Sequence, residues 1–166
     1  APEDGSSPTG AAPQPSAPQP SPITKATTAA PAVPLTVPET PDAALVTDGR
    51  MVVTLPKKGP DLIAAIALDG RTVARDGELV ALRQPDDARS PAGPADPATR
   101  APEEFDSTIT SLTVEQHGPV RAVIKIEGMH RQKNASGAPR QWLPFIVRFY
   151  FYAGTNQIKM VHTFIY

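Results

Sequence analysis

Every aromatic side chain of this protein lies beyond position 100: Phe105, Trp142, Phe145, Phe149, Tyr150, Phe151, Tyr152, Phe164 and Tyr166. Large apolar side chains close a core, each aromatic burying on the order of 150–250 Å². The folding information therefore sits in the C-terminal part. The opposite end carries the prolines, 11 of the 21 falling within the first 41 residues. The run from Ala12 to Pro22 alternates Pro with Ala, Gln and Ser. Such a stretch has too few apolar groups to offset backbone ordering, and proline favours extended conformations. Residues 1–41 are accordingly expected to be a disordered Pro/Ala/Ser/Thr-rich linker or surface loop, with one packed domain over 42–166. A second stretch, 85–102, holds five prolines and no large apolar residue, and reads as a long mobile loop.

Charge and composition exclude several classes of function. The 16 basic and 17 acidic residues give a net charge of −1 and are interspersed, so no phosphate-tracking surface forms and nucleic acid is not an expected partner. Cysteine is absent, which removes disulfides, thiolate metal sites and a cysteine nucleophile. The longest uncharged apolar run, Leu62 to Leu68, is too short to span a bilayer.

The body reads as strands throughout. Ala44–Thr47 and Arg50–Leu55 flank Asp48-Gly49, a strong hairpin signal. Two more Asp-Gly pairs, at 69–70 and 76–77, punctuate short apolar runs and predict a continuing meander, with 61–68 a strand despite its alanines. Past 102, Ile109, Leu112 and Val114 lead to a turn at His117-Gly118-Pro119. Val120, Ala122, Ile124 and Ile126 then alternate with Arg121, Lys125 and Glu127, a period of two with one wet face. Phe145, Val147, Phe149 and Phe151 share one face of the next strand, and Ile146, Arg148, Tyr150 and Tyr152 the other, which places that strand centrally, covered on both sides. Ile158 to Tyr166 forms the last. The fold class expected is all-β, a partial antiparallel β-barrel or meander preceded by the Pro/Ala-rich segment. The chain closes on His162 to Tyr166, inside what reads as a buried strand, so a piece of a longer protein is expected.

Chemistry is sparse. Of the three histidines, His117 sits in a turn, while His130 and His162 lie on apolar faces as core residues. The latter two could meet, but no third ligand joins them and no metal site is expected. No serine stands in a nucleophile elbow and no glycine pattern spells a phosphate loop, so no catalytic residue and no cofactor are assigned. Glu127 is read as an ion-pair partner of Arg121 and Lys125. Arg148, Tyr150 and Tyr152 could grip a uronic-acid carboxylate and stack on sugar rings, or form a cation–π cluster. Trp142 could be a sugar platform or a core plug. These four are the candidate substrate-binding residues. Asn134-Ala135-Ser136 matches a glycosylation acceptor, a pattern that chance alone explains.

His117 to Gly128, Trp142-Leu143-Pro144-Phe145 with Arg148 to Gly154, and Ile158 to Ile165 form an ordered series of strings. With the earlier Leu55 to Ile63 and Asp69 to Val73, they resemble the N-terminal RIFT barrel of exo-rhamnogalacturonan lyase-like proteins, over roughly 43–166. The resemblance implies a secreted, periplasmic or cell-surface multi-domain polysaccharide lyase acting on uronic-acid-containing glycans by β-elimination. In that architecture the barrel precedes a β-sandwich and an α/α toroid, and the resemblance implies catalytic groups mainly in the toroid. Its implied partners are an acidic polysaccharide, reached through the full-length protein, and those downstream domains. An incomplete barrel would leave open strand edges and lean on its neighbours. The alternatives are a carbohydrate-binding or adhesion module of a cell-surface protein and, more remotely, a self-contained hydrolase.

Overall fold

The computed structural model describes residues 33–84, 102–133 and 137–165. The expected linker up to residue 32, the proline-rich loop over 85–101 and the Asn134–Ser136 motif lie outside the described residues.

Nine strands follow in order: β1 (Ala43–Thr47), β2 (Met51–Pro56), β3 (Ile63–Leu68), β4 (Arg71–Gly77), β5 (Val80–Arg83), β6 (Glu103–His117), β7 (Arg121–Gln132), β8 (Gln141–Tyr152) and β9 (Ile158–Phe164). They form two antiparallel sheets, β1-β2-β3-β4 and β5-β6-β7-β8-β9, so the all-β expectation holds. One of the two sheets curls into half a barrel. Asp69-Gly70 turns β3 into β4 with both residues at positive φ, 49° and 77°, the conformation that right-twisted two-residue hairpins require.

The third Asp-Gly pair behaves differently. Asp76 has φ 55°, but β4 and β5 belong to separate sheets, so the expected unbroken meander stops there. The Gly77 carbonyl stays with the first sheet, accepting from the Leu62 N–H at 2.8 Å, while the Leu79 carbonyl accepts from the Ser107 N–H of the second sheet at 2.9 Å. The chain crosses between the sheets over Glu78 and Leu79.

One core joins the sheets. Val46, Met51, Val53, Leu55 and Leu62 meet Ile109, Ala122, Ile124, Ile126, Phe145, Val147, Phe149 and Phe151 in a single buried cluster. Alternation puts these residues on one face, while Arg148, Tyr150 and their neighbours on β8 stay only half-buried. Strand β8 is interior to its sheet, paired with β7 on one side and β9 on the other, but its outer face is only half-buried, so it is not covered on both faces. Its outer residues are a guanidinium stem and phenols, which tolerate water.

Two seams stitch the sheets together. At one, Ser107, 1% exposed, donates its hydroxyl to the Pro60 carbonyl at 2.6 Å and accepts the Leu79 N–H at 2.9 Å. Close by, Gly59 bridges to Ile109. At the other, the Leu35 N–H donates to the Pro119 carbonyl at 2.9 Å, and Thr36 exchanges hydrogen bonds with Thr47 of β1. Leu35 and Val37, inside the segment expected as linker, pack on the core.

Gly128 of β7 pairs with Phe145 and with Ile109. A Cβ there would overlap the Phe145 ring and stand 2.5 Å from the Thr108 carbonyl oxygen, so the ring lies directly over a bare backbone. Replacement Gly128→Ala is expected to cost about 1–3 kcal/mol in chemical denaturation. Gly118→Ala, whose Cβ would meet only the Arg121 carbonyl at 3.4 Å, is expected to cost less than about 0.5 kcal/mol. Ser107→Ala strands the Leu79 N–H and is expected to cost about 1–3 kcal/mol by the same measurement, well above Ser111→Ala on the outer face.

Candidate functional site

The outer face of the second sheet gathers the charged side chains. Two bulges in β6 shape it. The register shifts between Ile109 and Ser111 and again between Val114 and Gln116, which leaves Thr110 and Glu115 without direct partners and turns Glu115 towards β8. The Arg148 guanidinium meets Glu115 bidentately, Nε to Oε2 at 3.0 Å and Nη2 to Oε1 at 3.1 Å. Lys125, directly opposite Arg148 on β7, pairs instead with Glu127 at 3.2 Å. Ser111 donates its hydroxyl to the same carboxylate at 2.9 Å. Arg121 is turned away from Glu127 and donates from Nε and Nη2 to the Gln116 side-chain oxygen.

These contacts set the electrostatics. The Ser111 hydroxyl, followed by Lys125, holds the Glu127 carboxyl below the ordinary carboxylate range. The hydrogen bond to Glu115 raises Arg148 above its ordinary value. Both shifts fix existing charges. A carboxylate working as a general acid or base needs its pKa moved towards the working pH, the opposite direction.

The four candidate substrate-binding residues separate. Arg148 shares its face with Tyr150 and Tyr152, but Glu115 already fills its fork. A uronate could reach it only by displacing Glu115. Tyr150 lies over Val123 and takes the Lys159 ammonium 5.5 Å from its ring centroid, so the cation–π partner is Lys159 and not Arg148. Tyr152, opposite Arg121, is the most open of the group at 37%. Glu115, Gln116, Arg121, Val123 and Tyr150 line a shallow concavity of about 370 Å³. Its lining carries carboxylate, amide, guanidinium and phenol groups, which together donate and accept hydrogen bonds.

Trp142 does not join them. Leu143 adopts φ 44°, and the register slips between Met129 and His130, so that His130 faces Trp142. The slip moves Trp142 to the core side, where its ring packs on Phe105 at 5.2 Å. Plain alternation from Phe145 would have put it on the outer face. Eight residues of strand, about 27 Å at the usual rise, separate it from Tyr150.

The histidines pack on aromatic rings. His130 is buried, and its Nδ1 donates to the Leu143 carbonyl at 2.7 Å; a carbonyl only accepts, so Nδ1 carries the proton. The Phe145 ring touches both His130 and His162, at 5.1 and 6.2 Å between centroids. His117 is exposed at the end of β6. Among the described residues no three His, Cys, Asp or Glu side chains converge to hold a metal ion. No helix among them is long and apolar enough to cross a membrane.

Sequence reasoning missed Glu115 and Ser107. A polar residue between Phe105 and Ile109 on an apolar face was the available sign for Ser107. Nothing in the spacing announces the bulge at Glu115.

Residues 35–166 match the family model described as the PcRGLX-like protein central beta sandwich domain. The chain belongs to this rhamnogalacturonan lyase-like family. It is also 37% identical over 133 residues to the uncharacterized protein YetA of Bacillus subtilis (strain 168), a match covering 80% of this chain and 15% of that protein. The match thus spans only about 15% of the length of this curated relative. The family expectation holds, and the domain is corrected: this is the central sandwich, not an N-terminal RIFT barrel. The two facing sheets around one core agree with that, and the sandwich expected downstream is this chain itself.

His162, on the opposite face from Arg148 and Tyr150, gives the fold a pH signature. Its ring stands between Phe145 and Phe164, and this partial loss of water, with a smaller contribution from His130, pushes its pKa below 6.5. The unfolded chain therefore takes up the proton first. Stability present above the ordinary histidine value is expected to be lost as pH falls through 6.5 towards the lower folded value. Melting curves across that window should show His162→Gln with a flatter pH dependence than the parent.

Proposed function

We propose that this chain is the non-catalytic central β-sandwich of an exported rhamnogalacturonan lyase-like protein that acts on uronic-acid-containing glycans. The observation that carries this reading is the family match over 35–166, together with a relative of which such a domain makes up 15%. The outer-face chemistry points the same way. Lys125 and Arg148 are each paired with a glutamate, and the Glu127 carboxylate is held ionised. The domain's work is to set the spacing of flanking domains and to offer one wall to the polymer.

In such a protein a base elsewhere removes the proton next to the uronate carboxyl, and the glycosidic oxygen leaves, creating an unsaturated sugar. The concavity beside Tyr150 and Arg121 supplies hydrogen bonds to sugar hydroxyls along the way.

Rhamnogalacturonan incubated with this chain alone is expected to give no rise in ultraviolet absorbance from unsaturated product, while the longer polypeptide carrying the domain gives one. Product formed by this chain alone would overturn the proposal. Tight glycan binding by this chain, abolished by Tyr150→Ala, would favour a carbohydrate-binding or adhesion module instead.

A further inference from the structure

Strand β9 is placed as an edge but is not built like one. Among the described residues its only partner strand is β8. Natural edge strands carry charges, prolines or bulges that discourage further pairing. Lys159 is the one charge on β9; from Met160 to Phe164, and at Ile165 just beyond, there are none of these, and Met160 is 43% exposed, Phe164 57%, Ile165 54% and Val161 38%.

The geometry fixes what the open edge presents. The Ile165 N–H donates to the Pro144 carbonyl of the β8 side at 2.9 Å. In an antiparallel ladder, bonding direction alternates along the strand. Thr163 and Val161 therefore also point their backbone groups at β8, and Met160, His162 and Phe164 point theirs outward. The side chains of these same three residues stand opposite Phe149, Val147 and Phe145, on the face that elsewhere forms the core. Met160 also rims an apolar crevice of about 140 Å³ with Leu62, Ile63, Leu79 and Phe149. The open row thus combines unpaired backbone groups, apolar side chains on the core face and a hollow beneath them.

We propose that this edge receives one further β-strand of the longer polypeptide, antiparallel to β9, with apolar side chains at alternate positions opposite Met160, His162 and Phe164. The inference rests on the reading of the chain as the central domain of a longer protein. Two observations select an intrachain strand over a second copy. The matched relative carries most of its length outside this domain. In addition, the second sheet joins each strand to its sequence neighbour, so the next strand of a meander would return along β9. Such a strand would complete the ladder and extend the core face over the crevice.

The test is hydrogen exchange at single-residue resolution, on this chain and on the longer polypeptide. The Val161 and Thr163 amides, bonded to β8, should be protected in both. The amides of Met160, His162 and Phe164 should exchange at least roughly tenfold more slowly in the longer polypeptide. A second variant keeps the result from resting on one observable. His162→Pro removes an outward-facing donor, so it should lower the melting temperature of the longer polypeptide by clearly more than that of this chain. Equal exchange of the three amides in both polypeptides would overturn the proposal. Protection in this chain alone that grows with protein concentration would overturn it too, by assigning the edge to a second copy. Neither readout depends on lyase activity, so failure of the functional reading and failure of this one are separable.

Discussion

The structure depends on one buried face. The stripe Phe145, Val147, Phe149 and Phe151 on β8 meets Ala122, Ile124 and Ile126 on β7, and the first sheet closes over them with Val46, Val53 and Leu55. Each such side chain contributes about 1.5–3 kcal/mol on burial. The ion pairs of the outer face contribute about 0–1 kcal/mol apiece, because water competes for both partners. The sandwich is therefore held by its interior, and the polar outer face is arranged around a framework that already exists. Gly128 and Ser107 matter because they let that interior close. Gly128 gives the Phe145 ring room to lie on backbone, and Ser107 satisfies backbone groups where the chain crosses between sheets.

The same economy explains the electrostatics. Lys125 and Arg148 stand side by side on adjacent strands, a placement that repels. Glu127 and Glu115 each take one of them. The outcome is a face on which these two cations are each held by a glutamate, with a small polar hollow beside Tyr150. Against these paired charges the uncovered row on β9 stands out.

Much of the fold was legible in the sequence, and the reasons are local. Asp69-Gly70 encodes its turn because both positions need positive φ. The alternation over 120–127 and 145–152 encodes strands because side chains point to opposite faces. What alternation cannot encode is which sheet a strand joins. It marks a face as apolar without naming what covers it, and the Asp76-Gly77 pair looks like a hairpin although the chain changes sheets there. For the same reason a barrel and a sandwich read alike. The bulges were also hidden. One slipped residue at Leu143 moves Trp142 from the outer face to the core, separating it from Arg148 and the tyrosines, and the bulge at Glu115 fills the Arg148 fork. The candidate site was thus legible as a set of residue types on a face, while its pairing was not.

The central claim is that both sheets share one core and stand or fall together. Trp142, in the second sheet, supplies a fluorescence signal local to it, whereas far-ultraviolet circular dichroism reports the strands of both sheets. Denaturant unfolding of this chain followed by both probes tests the claim most directly. The account predicts a single transition with coincident midpoints. A dichroism change that separates from the fluorescence change, with one sheet melting while the other persists, would contradict it.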